Sequence, residues 1–290
     1  MSAGRPPRDS ALREANRYCA ALARAQNRDQ WLGALYADES ARDALCALAA
    51  FDHEIRHALT RARDPNLAAM RLAWWRGIVA GERQDEAAGS PVALALTAAI
   101  DVYALPRAGF EAMLDARLQE IAPQDDFNLA AFRAFADESE RARLRLAALI
   151  AAGGVDLDEA DAQAPAGMAL ALARLLGDLP FKAGSAPTLI PLDVAARHGA
   201  SASDFDARNA SAGVVAACAE LRGLARDELA EAERRLKGSS PAILPAFIPL
   251  GPLRLDLDRL DHNSGRPFDP PREVSQLSRQ WAIWRWARRF

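Results

Sequence analysis

No stretch of this chain alternates apolar and polar residues in a way that specifies a β-strand. Apolar residues instead recur every three or four positions along most of its length, the period of a helix with one buried face. In residues 39–62 the stripe is Ala44, Leu45, Leu48, Phe51, Ile55 and Leu59, with Asp38 placed as N-cap and Asp64-Pro65 as the break that follows. The same reading predicts helices over 9–26, 66–80, 91–103, 106–121, 128–152, 157–177, 191–198, 203–208, 211–237, 241–250 and 272–288, with Pro or Gly at most joints and Gly81 closing the third. Ala and Leu dominate a composition that is 50% hydrophobic, which favours helix over sheet. The expectation is an all-α fold, a single helical bundle around a central cavity spanning 9–290, with residues 1–8 disordered and the Pro-rich stretch at 265–273 a loop.

The charge balance excludes one class of partner. Lys plus Arg number 36 against 39 Asp plus Glu, a net charge of −3, so no global basic excess points to nucleic acid. Cys19, Cys46 and Cys218 are scattered without metal or redox spacing, which fits a reducing compartment. The N-terminus lacks the apolar core of a secretory signal. The longest apolar runs, such as AGMALALARLLG at 166–177, are too short to span a bilayer and contain Arg. These features predict a soluble intracellular protein, cytoplasmic or matrix-like in setting, with peripheral contact at an inner membrane as the furthest it goes toward lipid.

Residues 53–57 read HEIRH, the H-E-x-x-H spacing of zinc hydrolases. Two histidines four apart on a helix can reach one ion, and the Glu can activate its water, but zinc needs a third protein ligand. No H-x-x-G-x-x-H extension follows. Glu82 falls in a turn-like stretch, and His198 and His262 have no ligand-like neighbours. The alternative is that His53, Glu54, Arg56 and His57 form the polar side of an amphipathic helix, and no metal is expected.

Read with its surroundings, the stretch resembles the squalene/phytoene synthase superfamily. The resemblance runs through YCAALARAQNRDQWLGALYADESARDALCALAAFDHEI at 18–55, DPNLAAMRLAWWRGIVAGE at 64–82, LLGDLPFKAGSAPTLIPLDVAARHGAS at 175–201 and ASDFDARN at 202–209, and covers roughly residues 10–250. The synthases join prenyl diphosphates using two D-x-x-x-D motifs whose carboxylates hold Mg²⁺, because a diphosphate leaving group needs clustered divalent charge. Here the four positions carry Arg56, Thr60, Asp178 and Lys182. One carboxylate remains, and two positions are cationic. Asp52 and Glu54 do not restore the site, since Arg56 and Ala58 stand four residues on. The chain looks most like the aspartate-poor branch that includes the mitochondrial assembly factor for respiratory complex I and its bacterial relatives. The carrying motifs are A-L-x-A-F-[ND]-x-E at 47–54, M-R-x-x-[WF]-W at 70–75, Pro180-Phe181, the block holding Ile190, Pro191 and Asp193, Pro245-Ala246-Phe247 and the Trp-rich tail.

That resemblance implies a non-catalytic assembly or scaffolding factor, with a respiratory-complex client and an isoprenoid or lipid ligand, and without a cofactor. Its alternative is an active prenyltransferase of the squalene/phytoene type, which would require Mg²⁺. In the degenerate diphosphate site, Arg56 and Lys182 either contact a diphosphate directly or are spent on solvent or on Glu54 and Asp178. In the tail, helical geometry puts Trp281, Trp284 and Arg288 on one face and Trp286 apart. With Arg285, this composition suits a membrane interface or a protein partner. The contrary expectation is a helix that docks Ile283 and two tryptophans on the core. Trp74 and Trp75 point about 100° apart, so at least one belongs to the core.

Overall fold

The computed structural model describes residues 7–58, 64–121, 126–157, 160–183 and 189–290, and every regular element among them is helical. They form two compact units, one of residues 1–114, 143–157 and 240–248, the other of 115–142, 158–239 and 249–290.

In the first unit α1 (Pro7–Gln26), α3 (Glu39–Arg56) and α6 (Pro91–Tyr103) pack on one another, with α2 (Arg28–Ala34) against α1 and α3. The next helix in sequence, α4 (Pro65–Ala80), packs on α3, α6 and the short α5 (Gln84–Ala88). The helix expected over 39–62 ends at Arg56, with His57 as its C-cap, whereas both ends of α4 are those that the sequence marks. Asp64 caps α4 by accepting from the Asn66 N–H at 2.8 Å, and Gly81 ends it with a left-handed φ of 83° that side-chain-bearing residues avoid. The core is aromatic: Phe51 meets Trp75 edge-on at 5.1 Å between ring centres and Phe110 at 5.7 Å. The helical turn α14 (Leu244–Phe247) lies against α2, where a Cβ on Gly33 would stand 2.7 Å from the Pro245 carbonyl oxygen. The Pro-Ala-Phe block is therefore a packing element.

In the second unit α10 (Ala160–Lys182) runs along α13 (Ala212–Leu236). Around them lie α8 (Leu129–Ala136), a π-helical turn at Asp137–Arg141, α11 (Leu192–Arg197) and α15 (Leu253–His262). Asp193 of α11 accepts the Leu129 N–H at 2.9 Å, so it too is structural. The remaining helices are α7 (Arg107–Gln119), α9 (Ala142–Ala151), α12 (Ala202–Asp206) and α16 (Gln276–Ala287).

Several boundaries differ from expectation. The helix expected over 128–152 is interrupted by the π turn, where Ser139 Oγ donates to the Phe135 carbonyl at 2.6 Å and competes with the helical ladder. The helix expected over 157–177 continues through Pro180 to Lys182. Proline removes one N–H, and the carbonyl of Pro180 is taken by Arg208 Nη1 at 2.9 Å. Residues 253–258 read LRLDLD, an alternation that conceals α15, in which Leu253, Leu257 and Leu260 are the buried face. The α2 and α5 helices were also unexpected. The last helix starts at Gln276, not 272, because Ser275 caps it. Of the residues 1–8 expected to be disordered, 1–6 lie outside the described residues, and 7 and 8 are helical because α1 begins at Pro7.

All three thiols are buried, and burial pushes Cys19 and Cys46 up to about 12 and Cys218 up to about 11. None is a nucleophile at neutral pH.

Candidate functional site

The last two turns of α3 carry the first set of predicted residues. Arg56 donates from Nε to Asp52 Oδ1 at 2.7 Å, and Gln30 of α2 donates to the other oxygen of Asp52 at 3.3 Å. Glu54 pairs with Arg71 of α4. The expectation that Arg56 pairs with Glu54 is thus corrected. Residues two apart on a helix point to different sides, whereas four apart they are neighbours, so Arg56 finds Asp52 and Glu54 reaches another helix. Of the residues expected on the polar side of the helix, His53 and Glu54 are buried, as is Asp52 beside them. The charges of Asp52 and Glu54 are kept in the interior by the ion pairs just named. Thr60 lies outside the described residues.

The zinc geometry does not assemble. His53 and His57 stack at 4.2 Å between ring centres, with His57 Nδ1 2.9 Å from the carbonyl of His53. Among the described residues no three His, Cys, Asp or Glu side chains stand close enough to hold an ion.

The second predicted pair lies at the end of α10. Lys182 Nζ is 3.1 Å from Asp178 Oδ2 and 3.8 Å from Glu120 Oε2, which also receives Arg117 at 2.6 Å through its other oxygen. One turn earlier on the same stripe, Arg174 pairs at 3.1 Å with Glu140, a buried carboxylate within the π turn. Arg174, Asp178 and Lys182 thus form a row of alternating charge along α10, answered by Glu140 and Glu120. Sequence reasoning missed Gln30, Glu120, Glu140 and Arg174. Only Arg174, four residues before Asp178, had a local signal; the others come from distant segments.

This donor set does not suit Mg²⁺. The ion needs several oxygen ligands in an octahedral shell, and each carboxylate at these positions is already answered by an ammonium or guanidinium group.

The first unit also contains a groove of about 450 Å³. Its walls include Tyr18, Glu54, Met70, Arg71, Trp74 and Trp75. The motif blocks at 47–54 and 70–75 therefore meet in space, joined by the Glu54–Arg71 pair. Trp75 is the core residue of its dipeptide, while Trp74 donates to Glu86 at 2.7 Å.

On α16, Trp286 is buried and donates to Glu233 at 3.2 Å, while Trp281 and Trp284 are exposed and stacked at 4.9 Å. One tryptophan docks, not two. The reason is the face: Ile283 and Trp286 are three apart and point inward together, leaving 281 and 284 on the far side.

The family model for "Squalene/phytoene synthase" matches residues 23–281. The chain belongs to the squalene/phytoene synthase family. This squalene/phytoene synthase family member is 24% identical to the human protein "NADH dehydrogenase (ubiquinone) complex I, assembly factor 6" over 231 residues, 80% of this chain and 69% of that one. The mouse protein of the same name is 25% identical over 232 residues. Among solved structures, a dehydrosqualene synthase superposes with a TM-score of 0.80 at 14% identity, covering 97% of this chain and 98% of that one. The squalene synthase HpnC from Alicyclobacillus acidocaldarius gives 0.70 at 20% identity, covering 89% and 97%. At these identities the structural likeness establishes the all-helical fold.

Proposed function

We propose that the chain is a non-catalytic member of its family, acting as an assembly or scaffolding factor of the respiratory complex I type. The observation that carries this reading is the pairing at the two motif positions. Arg56 is bonded to Asp52 and Lys182 to Asp178, so cations stand where the synthase mechanism needs carboxylates. A fixed positive charge repels Mg²⁺, and without the metal the diphosphate leaving group has no adequate counter-charge. The similarity to complex I assembly factor 6 supports the choice of client, and the family supports an isoprenoid or lipid ligand.

Two measurements test it together. Purified protein incubated with farnesyl or geranylgeranyl diphosphate and Mg²⁺ should yield no squalene or phytoene above background. Deletion of the gene in its host should lower the amount of assembled complex I, and the Asp178→Ala variant should restore it as well as the wild type does. Product formation that Asp178→Ala abolishes would establish the prenyltransferase instead. Metal-free binding of a diphosphate can be measured separately by calorimetry in EDTA. Charge-assisted contacts contribute about 1.5–3 kcal/mol each, so Arg56→Ala should weaken such binding about tenfold or more.

A further inference from the structure

The outward face of α16 is apolar and cationic at once. Leu277, Trp281, Trp284 and Arg288 recur at spacings of four, three and four, a single stripe along the helix. Leu277 is 78% exposed, Trp281 58% and Trp284 43%. The two indoles stack on each other, and the Arg288 guanidinium lies 4.7 Å from the Trp284 ring centre. The inward face is fastened: Ile283 and Trp286 are buried, and Arg279 makes a two-pronged contact with Asp256 at 2.7 and 3.0 Å. The helix is therefore held in place while its most hydrophobic surface stays in water.

Charge selects the occupant. Residues 274–290 contain no Asp or Glu and four arginines. Arg279 is spent on Asp256, and Arg289 stands 3.9 Å from Glu233. Arg285 and Arg288 make no salt bridge to a described residue, so their charge is presented outward with the indoles. A second copy of this chain is a poor occupant, because a twofold contact through this face would oppose the same arginines. An anionic lipid surface answers both features: indoles settle at the boundary of headgroup and acyl chain, and guanidinium groups bond phosphates. No helix among the described residues is long and apolar enough to cross a membrane, so the contact lies in the plane of the surface.

We infer that α16 is an interfacial helix that docks the protein on anionic bilayers, with Leu277, Trp281 and Trp284 entering the headgroup region and Arg285 and Arg288 on the phosphates. The inference does not depend on the assembly reading.

The test is co-sedimentation of the full chain with vesicles of phosphatidylcholine plus phosphatidylglycerol and with vesicles of phosphatidylcholine alone. Binding is expected to the anionic vesicles and should weaken as salt rises. Each of Arg285→Gln and Arg288→Gln should reduce partitioning about fivefold, the equivalent of about 1 kcal/mol per cation near such a surface. Trp281→Ser combined with Trp284→Ser should reduce it more than tenfold at unchanged thermal stability, because both side chains are exposed. Failure of the wild type to pellet with anionic vesicles overturns the inference, as does pelleting that the Trp and Arg variants leave unchanged. It is equally overturned if the wild type forms a dimer that the double Trp variant dissociates, since the stripe would then be a protein interface.

Discussion

On α3 the Asp52–Arg56 pair is packed away from solvent, with side chains 2% and 10% exposed, whereas on α10 the Asp178–Lys182 pair stands at 38% and 47%. Both are carboxylate–cation pairs four residues apart on a helix. The same local chemistry therefore has two different physical roles. In the first unit the pair neutralises charge that cannot reach water, so it is part of the core. In the second it is a surface pair, weakened by solvent and by the competing claim of Glu120 on Lys182. A cation four residues after an aspartate is absorbed into the architecture at one position and carried at the surface at the other.

Mutations can break that contrast. Asp52→Ala removes the carboxylate that Arg56 meets in the interior and should cost about 3–5 kcal/mol in urea unfolding, the loss expected when one member of a buried pair is removed. A cost below about 1 kcal/mol would place the pair with ordinary surface pairs. Arg71→Ala should fall between the extremes, at about 1–3 kcal/mol, because it removes a pair to buried Glu54 while Arg71 itself is half in solvent. Lys182→Ala should change stability by less than about 1 kcal/mol. Parity between Asp52→Ala and Lys182→Ala would abolish the distinction altogether.

The smallest expected effect concerns Glu231 on α13, where hydrogen bonds from Arg234 and Arg235 bring the carboxyl down from its ordinary 4.5 to about 2. Its folded pKa lies below the unfolded one. Its contribution is therefore present above about pH 4.5 and lost as the pH falls toward 2. This group is on the surface, so Glu231→Gln should only slightly flatten the stability profile between those limits. A change at neutral pH as large as that of Asp52→Ala would show that surface pairing on α13 is not the weak term described here.

The helical class was legible because Leu45, Leu48, Phe51 and Ile55 keep a period that no strand can use, and Pro and Gly mark where it stops. The π turn was not legible, since its cause, Ser139 turning back on the Phe135 carbonyl, is a competition inside an otherwise regular pattern. Helix α15 was hidden by Leu and Asp in alternation. At the candidate site, the loss of carboxylates at 56, 60 and 182 could be read directly from residue identity. The destinations of the surviving charges could not. Gln30, Arg71, Glu120 and Glu140 reach their partners from 17 to 62 positions away or from a different helix, and proximity of that kind is created by packing, not by spacing.

The stacked indoles of α16 also make the molecule optically informative. Two ring transitions held 4.9 Å apart and 24° from parallel couple to each other, so they should contribute a paired positive and negative band to the ultraviolet circular dichroism. Of the six tryptophans, this pair lies open to water beside two cations that attract anions. Iodide should therefore quench it ahead of buried Trp75 and Trp286, and the shielding of that fraction can be followed without attaching any label.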